Sequence, residues 1–248
     1  MKNLKYNSIL GTLLLSLLIT TNSCSKLDDP AKSIDTDTIV RLELVDSSST
    51  SLGNKIPADS NSYILIKGII GDQASPNQQI VFNTSHGYLS LPGEPVNAQS
   101  SKNITVLAAY RDVMIVLHTD DIPQNEVLVT ATLNNFTNTM LVEFTNAYPD
   151  QLNITPTLSN ITTTDTVNVT LDAIRSSGKV SKGLVYNVRN LNPDSISLNI
   201  PSFSVFNNGK GSFSILNPLN KPGTIEVEVS TLNSQLDSLK KMVTIVYN

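Results

Sequence analysis

The sequence contains few of the residues on which catalytic and metal sites depend. Its 248 residues include one cysteine, two histidines and no tryptophan, and aromatic residues make up 5% of the chain. A single cysteine excludes an intramolecular disulfide framework. The chain has 17 basic and 21 acidic residues and a net charge of −4. It has no basic cluster, so we expect no binding to nucleic acid, which requires grouped Lys and Arg.

Long apolar runs are also missing, and the longest apolar stretch lies close to the N terminus. It extends from Ser8 to Thr20 and follows a short basic head containing Lys2 and Lys5. A helix that spans a bilayer needs about 20 apolar residues, and this stretch is clearly shorter. A basic head, a short apolar core and small residues after it are typical of an export signal. We therefore predict a signal peptide over residues 1–23.

The only cysteine, Cys24, follows this signal directly. The preceding residues Thr21-Asn22-Ser23 resemble the lipobox of bacterial lipoproteins, in which a signal peptidase cuts before a cysteine that becomes acylated. Ser23 fits that pattern, whereas Thr21 stands where the family prefers leucine. The resemblance implies that Cys24 is lipidated, and several acyl chains give stable membrane anchoring. The alternative is a simple secretory signal followed by an incidental cysteine.

The residues after Cys24 carry a short charged pattern. Lys26, Asp28 and Asp29 resemble the export signal of surface lipoproteins in Bacteroidetes, and Ser25 is not the aspartate that retains enterobacterial lipoproteins in the inner membrane. The resemblance implies an outer-membrane lipoprotein at the cell surface, with the periplasmic face as the alternative. The same residues also fit a solvated, flexible tether, which we place at residues 24–37.

Beyond the tether, short segments alternate between apolar and polar residues. In the segment 39–45, Val40, Leu42 and Leu44 fall on one face of a strand, and Arg41 and Glu43 fall on the other. No window has the pattern of a capped amphipathic helix, and Val, Ile, Thr and Tyr are common, as in β-sheets. The same reasoning predicts further strands at residues 63–70, 79–83, 113–118, 126–133 and 139–144.

The second half of the chain repeats this order of strands. The counterparts of four strands of the first half lie at residues 166–171, 184–187, 225–232 and 242–247. Two copies of one β-domain explain the repeat. We place the domains at residues 38–147 and 148–248, with the joint near Pro149, which cannot donate to a sheet ladder.

The order of motifs resembles the bacterial Ig-like domains of the invasin and intimin type. Matching segments lie at residues 80–90, 183–186, 208–213 and 222–227. The first copy departs from the family pattern at its closing strand, where Asn125-Glu126-Val127 replaces a Gly-Thr pair, and at the irregular residues 91–109. The resemblance implies an all-β fold of two tandem Ig-like antiparallel β-sandwiches after the signal peptide and tether.

The two histidines do not form a recognisable catalytic or metal site. His86 precedes Gly87 in a predicted turn, and His118 ends a predicted strand. A zinc site needs several ligands in fixed geometry, and no serine elbow, phosphate-binding loop or dinucleotide motif is present. We therefore predict no catalytic residues, no metal and no cofactor, and we interpret both histidines as structural.

Two pairs of acidic residues are candidates for calcium binding at a domain edge. They are Asp35 with Asp37 and Asp120 with Asp121. Calcium requires at least about six oxygen ligands, and neither pair belongs to a loop with such a signature. Solvated loop acids are the favoured interpretation, with calcium binding as the open alternative.

Two tyrosines are candidates for contacts with a glycan. Sugar-binding β-sandwiches usually expose aromatic side chains, and Tyr88 and Tyr110 are the best placed in this sequence. Tyrosine also packs readily with its ring buried and its hydroxyl at the edge of a core. We favour core or edge packing for both residues.

A modification motif occurs four times. Aspartate followed by Ser or Thr and an aliphatic residue resembles the O-glycosylation acceptor of exported Bacteroidetes proteins. The acceptor positions are Thr38, Thr166, Ser195 and Ser238. A glycan requires exposure to solvent, so a buried acceptor would count against this prediction.

Together these observations predict a lipid-anchored surface protein with an adhesive or ligand-binding role. Its partners would be the membrane, through the anchor, and a protein or glycan of unknown identity. Recognition would use loops at the ends of the sandwiches or strand addition at a sheet edge. The alternative is a structural or accessory subunit of an outer-membrane complex without catalytic activity, for which glycan binding is one candidate role.

Overall fold

A computed structural model describes residues 35–45, 53–94, 101–158, 160–192 and 199–248. The described residues form β-strands and turns, with one turn of 3-10 helix at Thr36–Thr38 and no α-helix among them. The strands build two sandwiches that follow each other along the chain. This confirms the predicted all-β fold of two tandem Ig-like sandwiches.

The first sandwich contains strands β1 to β9. Their bounds are β1 Val40–Val45, β2 Lys55–Pro57, β3 Tyr63–Ile70, β4 Gln79–Thr84, β5 Tyr88–Ser90, β6 Asn103–Leu107, β7 Asp112–His118, β8 Gln124–Leu133 and β9 Phe136–Thr145. One sheet has the strand order β1-β3-β7-β5, and the facing sheet has the order β2-β9-β8-β4-β6. The pairs are antiparallel except for β2, which lies parallel to the end of β9.

The second sandwich contains strands β10 to β17. Their bounds are β10 Gln151–Pro156, β11 Asn160–Ile161, β12 Val167–Ile174, β13 Val185–Asn190, β14 Phe203–Val205, β15 Lys210–Ile215, β16 Gly223–Leu232 and β17 Ser238–Tyr247. The sheets have the orders β10-β12-β15 and β11-β17-β16-β13-β14. Each strand of the second sandwich therefore has a counterpart in the first. Among the described residues of the second sandwich, no strand corresponds to β5.

Alternating burial explains why the predicted strands form. Along β3 every second residue, from Ile64 to Ile70, faces the interior, and along β16 the same pattern places Ile225, Val227 and Val229 inside. Each sandwich has its own cluster of buried apolar side chains, one between Ile39 and Phe144 and one between Leu152 and Tyr247. Burial of such side chains contributes about 1.5–3 kcal/mol each.

Two of the strands that the alternating pattern did not predict have no buried side chain. β6, within the region expected to be irregular, has no fully buried residue, and β14 has three residues with none buried. Such strands form because a neighbouring strand supplies the backbone hydrogen bonds, and their own side chains carry little pattern. The 3-10 turn at Thr36–Thr38 begins two residues before the predicted start of the first domain, and the Asp37 carboxylate accepts a hydrogen bond from Asn138 of β9.

Candidate functional site

The residues predicted to anchor and export the protein lie outside the described residues. This applies to Cys24, Lys26, Asp28 and Asp29, and also to Ser195, one of the predicted glycosylation sites. Within the ranges that the structure describes, no helix is both long and apolar enough to cross a membrane.

The other three predicted glycosylation sites differ in exposure. Thr166 and Ser238 are exposed, the first just before β12 and the second at the start of β17. Thr38 is half-buried at the end of the 3-10 turn, and its carbonyl accepts a hydrogen bond from the Gln73 amide at 3.2 Å. Thr166 and Ser238 therefore meet the requirement for access to solvent.

His118 is a packed residue at the end of β7. Its side chain is buried, its Nε2 lies 2.9 Å from the Ser90 hydroxyl, and its ring stacks on Tyr88 with centroids 5.0 Å apart. Burial lowers the pKa of His118 from its ordinary value of 6.5, because desolvation disfavours the charged ring. Its predicted position at a strand end and the predicted packing of Tyr88 are both confirmed.

His86 lies in the turn between β4 and β5. Its Nδ1 is 3.2 Å from the hydroxyl of the neighbouring Ser85, and Gly87 after it has a φ of 68°. The turn needs glycine there, because a Cβ on Gly87 would lie 2.2 Å from the His118 carbonyl oxygen. Across the described part of the chain, no group of three or more His, Cys, Asp or Glu residues is arranged to hold a metal ion.

The acidic residues after β7 organise a loop. Asp120 accepts hydrogen bonds from the amides of Ile122 at 3.0 Å and Gly87 at 3.3 Å, and the Asp121 carbonyl accepts one from Lys182 at 2.7 Å. Burial raises the pKa of Tyr88, and the negative charge of Asp120 adds to this shift. The Asp120 carboxylate is thus engaged with the backbone of its own loop and of the β4–β5 turn.

Tyr110 is the residue for which the packing prediction is wrong. Its side chain is 84% exposed, in the turn between β6 and β7. Its φ is 60°, a left-handed conformation that is rare for a bulky residue. Two hydrogen bonds with Asn77 hold the turn: the Tyr110 amide donates to the Asn77 side chain at 2.8 Å, and the Asn77 amide donates to the Tyr110 carbonyl at 3.1 Å. The ring therefore projects into solvent from a constrained backbone.

Arg111, the next residue, ties this turn to the loop after β3. Its Nη1 donates to the carbonyl of Gly71 at 2.7 Å and to that of Ala74 at 3.2 Å. Arg111 also lines a cavity of about 450 Å³ together with Asp37, Arg41 and Asp72. The end of the first sandwich thus combines an exposed aromatic ring with a polar cavity of both charge signs.

The sequence named Tyr110 as a candidate for ligand contact but did not reveal the contacts that form this end of the sandwich. Asn77 lies between two predicted strands, and its hydrogen-bond partner Tyr110 lies 33 residues away. Arg111 reaches carbonyls 37 to 41 residues away. A Tyr-Arg pair between two predicted strands carries no local signal for such contacts.

The junction of the two sandwiches is formed by buried polar groups. Ser181, which is 0% exposed, donates its hydroxyl to the Ala58 carbonyl at 2.7 Å and accepts a hydrogen bond from the Ala147 amide at 2.8 Å. Its own amide donates to the Ala147 carbonyl at 3.0 Å. One side chain therefore connects the segment after β2, the segment after β9 and the loop between β12 and β13.

An ion pair reinforces the same junction. Arg175 Nη2 lies 3.6 Å from the buried Asp59 carboxylate, and Arg175 Nη1 donates to the Tyr148 carbonyl at 2.8 Å. Asp59 also accepts hydrogen bonds from the amides of Asn61 at 2.9 Å and Ser62 at 2.7 Å. The buried carboxylate is thus well solvated by protein donors, as a buried charge must be.

Comparison with solved structures finds bacterial adhesins with this fold. The adhesin InvE of Yersinia pseudotuberculosis is 13% identical, with a TM-score of 0.56, covering 86% of this chain and 60% of that chain. Invasin, a bacterial integrin-binding protein, is 16% identical, with a TM-score of 0.56, covering 84% of this chain and 39% of that chain. At these identities the similarity demonstrates a shared fold.

The chain spans less than two thirds of either solved structure. No protein-family model matches the chain, and no curated protein sequence matches it.

Proposed function

We propose that this chain is a lipid-anchored outer-membrane protein that binds a ligand at the cell surface. In this proposal residues 1–23 are removed, Cys24 carries the lipid and residues 24–37 form the tether. The Ig-like domains at 38–147 and 148–248 then present the binding surface. The protein acts by adhesion and has no catalytic activity.

The anchor is supported by the order of residues at the N terminus. A basic head, an apolar core of export length and the only cysteine of the chain follow one another. The charged residues Lys26, Asp28 and Asp29 support export to the outer surface. Exposure of a lone reactive thiol is otherwise unfavourable for an exported protein, and acylation removes it.

The single observation that carries the binding role is the exposed ring of Tyr110. Tyrosine is enriched among the residues that dominate binding energy at interfaces. Its backbone strain persists only because Asn77 holds the turn, and such strain is concentrated at functional sites. The same sandwich architecture occurs in the adhesin InvE and in invasin, an integrin-binding protein.

The binding proposal is tested with cells that display the full chain on surfaces coated with mucin glycans or extracellular-matrix proteins. Wild-type cells should be retained on at least one of these surfaces. We expect Tyr110→Ala to reduce retention at least about tenfold, as for the loss of a dominant interface residue. The matched control is Met242→Ala, which removes an exposed apolar side chain of β17. Equal retention of the Tyr110→Ala and wild-type cells would argue against this site.

The anchor is tested by the mass of the intact protein in membrane fractions and by protease treatment of whole cells. We expect a chain that begins at Cys24, carries added acyl mass and is cleaved on intact cells. Cys24→Ser should release the protein from the membrane fraction. An unmodified cysteine in a chain that retains residues 1–23 would contradict lipidation, and protection from external protease would favour the periplasmic face.

We also propose O-glycosylation at Thr38, Thr166, Ser195 and Ser238. Support comes from the exposure of Thr166 and Ser238. Glycopeptide mass spectrometry of the native protein should find glycan at both exposed sites, and their complete absence there would contradict the proposal.

A role as an accessory subunit of an outer-membrane complex is the second candidate. Exposed apolar side chains on neighbouring strands of the second sandwich favour it: Val185 of β13 and Phe203 and Val205 of β14 are 48%, 63% and 51% exposed. Crosslinking in intact cells followed by purification separates the two candidates, because a subunit would bring a stable membrane partner with it.

A further inference from the structure

The two sandwiches differ at one edge, and the first shows how that edge is normally covered. In the first sandwich β5 pairs antiparallel with β7, with Tyr88 opposite His118, Leu89 opposite Leu117 and Ser90 opposite Val116. The Leu89 side chain points inward and is completely buried. A segment of only three residues therefore closes this edge by backbone pairing and one inserted aliphatic side chain.

The second sandwich begins the same pairing and then loses it. The strand register makes Leu216 the counterpart of His118. In the first sandwich Leu117, the residue before His118, lies opposite Ile64 of β3. In the second sandwich Ile215, the residue before Leu216, lies opposite Val167, the counterpart of Ile64 in β12. Asn199 pairs with Leu216, by an amide-to-carbonyl hydrogen bond of 3.1 Å and a return bond of 3.4 Å. Asn199 thus takes the position of Tyr88.

Proline ends this pairing. In an antiparallel ladder the next residue pair with mutual hydrogen bonds would be residue 201 with Ser214. Residue 201 is proline, which has no amide hydrogen to donate. Its counterpart in the first sandwich is Ser90, which has one. Beyond Asn199, Ile200 still packs against the buried apolar cluster, as its counterpart Leu89 does, but no described strand pairs with the backbone of Ser214 or Ser212 on this side.

Among the residues that the structure describes, the outer edge of β15 therefore has no paired strand along Ser214 and Ser212. The alternation of the ladder directs the backbone groups of Ser214 and Ser212 to the same side as those of Leu216, away from β12. In the part of the chain that the structure describes, β15 is the last strand of its sheet, with no strand on that side. The Ser212 carbonyl accepts a hydrogen bond from the Tyr186 hydroxyl at 2.9 Å and retains a second lone pair.

A cavity of about 780 Å³ opens beside this edge. Its lining includes Leu171 and Tyr186 of the buried apolar cluster, Val205 of β14, and Gly211 and Ser212 of β15. Gly211 leaves room for the Tyr186 ring, since a Cβ there would lie 2.8 Å from Tyr186 Cε1. The cavity therefore combines the backbone of an edge strand with access to apolar side chains.

We infer that the β15 edge binds an extended segment of a partner polypeptide, antiparallel to β15, with an aliphatic side chain opposite Phe213. This inference rests on the proposed binding function and specifies the class of ligand. The partner's residues opposite Ser212 and Ser214 exchange backbone hydrogen bonds with them, as in strand addition. The residue between them faces inward, at the next inward position along the ladder from Ile200, which is the counterpart of Leu89.

The chemistry of the edge selects an uncharged, extended segment. The charged residues of the cavity lining are Asp172 and Lys210, and they form an ion pair with each other. No net charge remains to attract a charged ligand. A second folded copy is a poor occupant, because the inward side chains of its own β15, Phe213 and Ile215, are already buried in its own core.

The test uses the purified full chain and a synthetic peptide with the sequence of residues 86–92, His-Gly-Tyr-Leu-Ser-Leu-Pro, which contains β5. Hydrogen–deuterium exchange is measured at the amides of Ser212 and Ser214 with and without peptide. We expect saturating peptide to slow exchange at both amides at least about tenfold, the effect of about 1.4 kcal/mol. A peptide N-methylated at its Tyr and Ser should give no protection, because it lacks the two donors that pair with β15.

A substitution in the chain provides the second arm. Pro201→Ser restores the amide found at Ser90, so the chain's own segment should pair with Ser214, slow its exchange without peptide and weaken peptide binding at least about tenfold. Pro218→Ser, in the exposed turn after β15, is the matched control and should bind like the wild type.

Three outcomes would overturn the inference: no protection by the peptide, equal protection by the N-methylated peptide, or protection that arises from self-association of the chain at rising concentration. The measurement uses purified protein and does not involve Tyr110 or the anchor. If the peptide experiment fails, the cell-retention and anchor tests of the proposed function are not affected. If those tests fail, the peptide experiment still reports on the β15 edge.

Discussion

At the scale of single residues, the backbone conformation of Tyr110 lowers the stability of the fold, and the packing of its side chain does not offset that loss. Its ring is largely in solvent and its backbone is left-handed, a conformation that costs about 1–2 kcal/mol for an L-residue with a Cβ. The two hydrogen bonds with Asn77 hold it there. Packing within the fold therefore does not explain why a tyrosine stands at this position.

Tyr110→Gly should therefore stabilise the protein while removing the proposed contact. We expect the free energy of unfolding to rise by about 1 kcal/mol, since glycine adopts the left-handed region without strain. Denaturant titration of the full chain measures this change. Asn134→Gly is the control: Asn134 has a φ of 55°, but asparagine tolerates that conformation, so its gain should be smaller. A loss of stability in Tyr110→Gly would show that the ring packs in solution.

His118 should make stability depend on pH. Burial lowers the pKa of His118 in the folded chain below 6.5, so the unfolded chain binds this proton more readily. Stability is then complete above the unfolded value and falls as the pH drops through about 6.5. Urea titrations at pH 7.5 and 5.5 should show this loss, and His118→Gln should reduce it. His86→Gln, which still contains His118, should retain it, and an unchanged pH dependence in His118→Gln would refute the assignment.

At the scale of strands, equivalent positions of the two sandwiches carry a large aromatic side chain that packs against a glycine. In the first sandwich Phe82 of β4 lies against Gly68 of β3, and in the second Tyr186 of β13, at the position equivalent to Phe82, lies against Gly211 of β15. Both aromatic side chains are completely buried. The equivalent aromatic residue therefore packs against a glycine in both sandwiches. The glycine lies on β3 in the first sandwich and on β15, which is not the counterpart of β3, in the second.

Gly68→Ala should destabilise the first sandwich through this contact. A Cβ at position 68 would lie 2.5 Å from Phe82 Cζ, closer than van der Waals contact allows. We expect a loss of about 1–3 kcal/mol, typical of an overpacked core. Adding Phe82→Leu should recover part of that loss, so a double-mutant cycle measured by denaturant titration should show favourable coupling. Strictly additive effects would mean that the alanine is accommodated elsewhere.

At the scale of the whole molecule, the two sandwiches are linked by hydrogen bonds that include a completely buried hydroxyl. Ser181 satisfies the Ala58 carbonyl and the Ala147 amide at once, and the Asp59–Arg175 pair lies in the same junction. Buried polar groups are costly to leave unpaired. The unfolding of one sandwich is therefore energetically coupled to the integrity of the other.

Ser181→Ala should weaken this coupling. It leaves a buried carbonyl and a buried amide each without the hydroxyl partner, at a cost of about 1–3 kcal/mol per group. We expect differential scanning calorimetry of the full chain to change from one transition toward two separated ones. Ser177→Ala, which removes an exposed hydroxyl that accepts a 3.3 Å hydrogen bond from Asn61, should leave the profile unchanged. A single unshifted transition in Ser181→Ala would show that the hydroxyl does not couple the sandwiches.

What the sequence determined by itself was the set of long strands, their repetition and the all-β class. The segments 63–70 and 126–133 were predictable because apolar and polar residues alternate along consecutive positions. The strands β3 and β8 form at these segments. Tertiary structure decided what depends on distant partners. Tyr110 is exposed because Asn77, 33 residues away, holds its turn, and Ser181 is buried because Ala58, 123 residues away, packs against it. The physical reason is that hydrophobic alternation is a property of consecutive residues. Sheet register and the junction of the two sandwiches bring together residues that are far apart in the sequence, and the sequence around each of them does not indicate its partner.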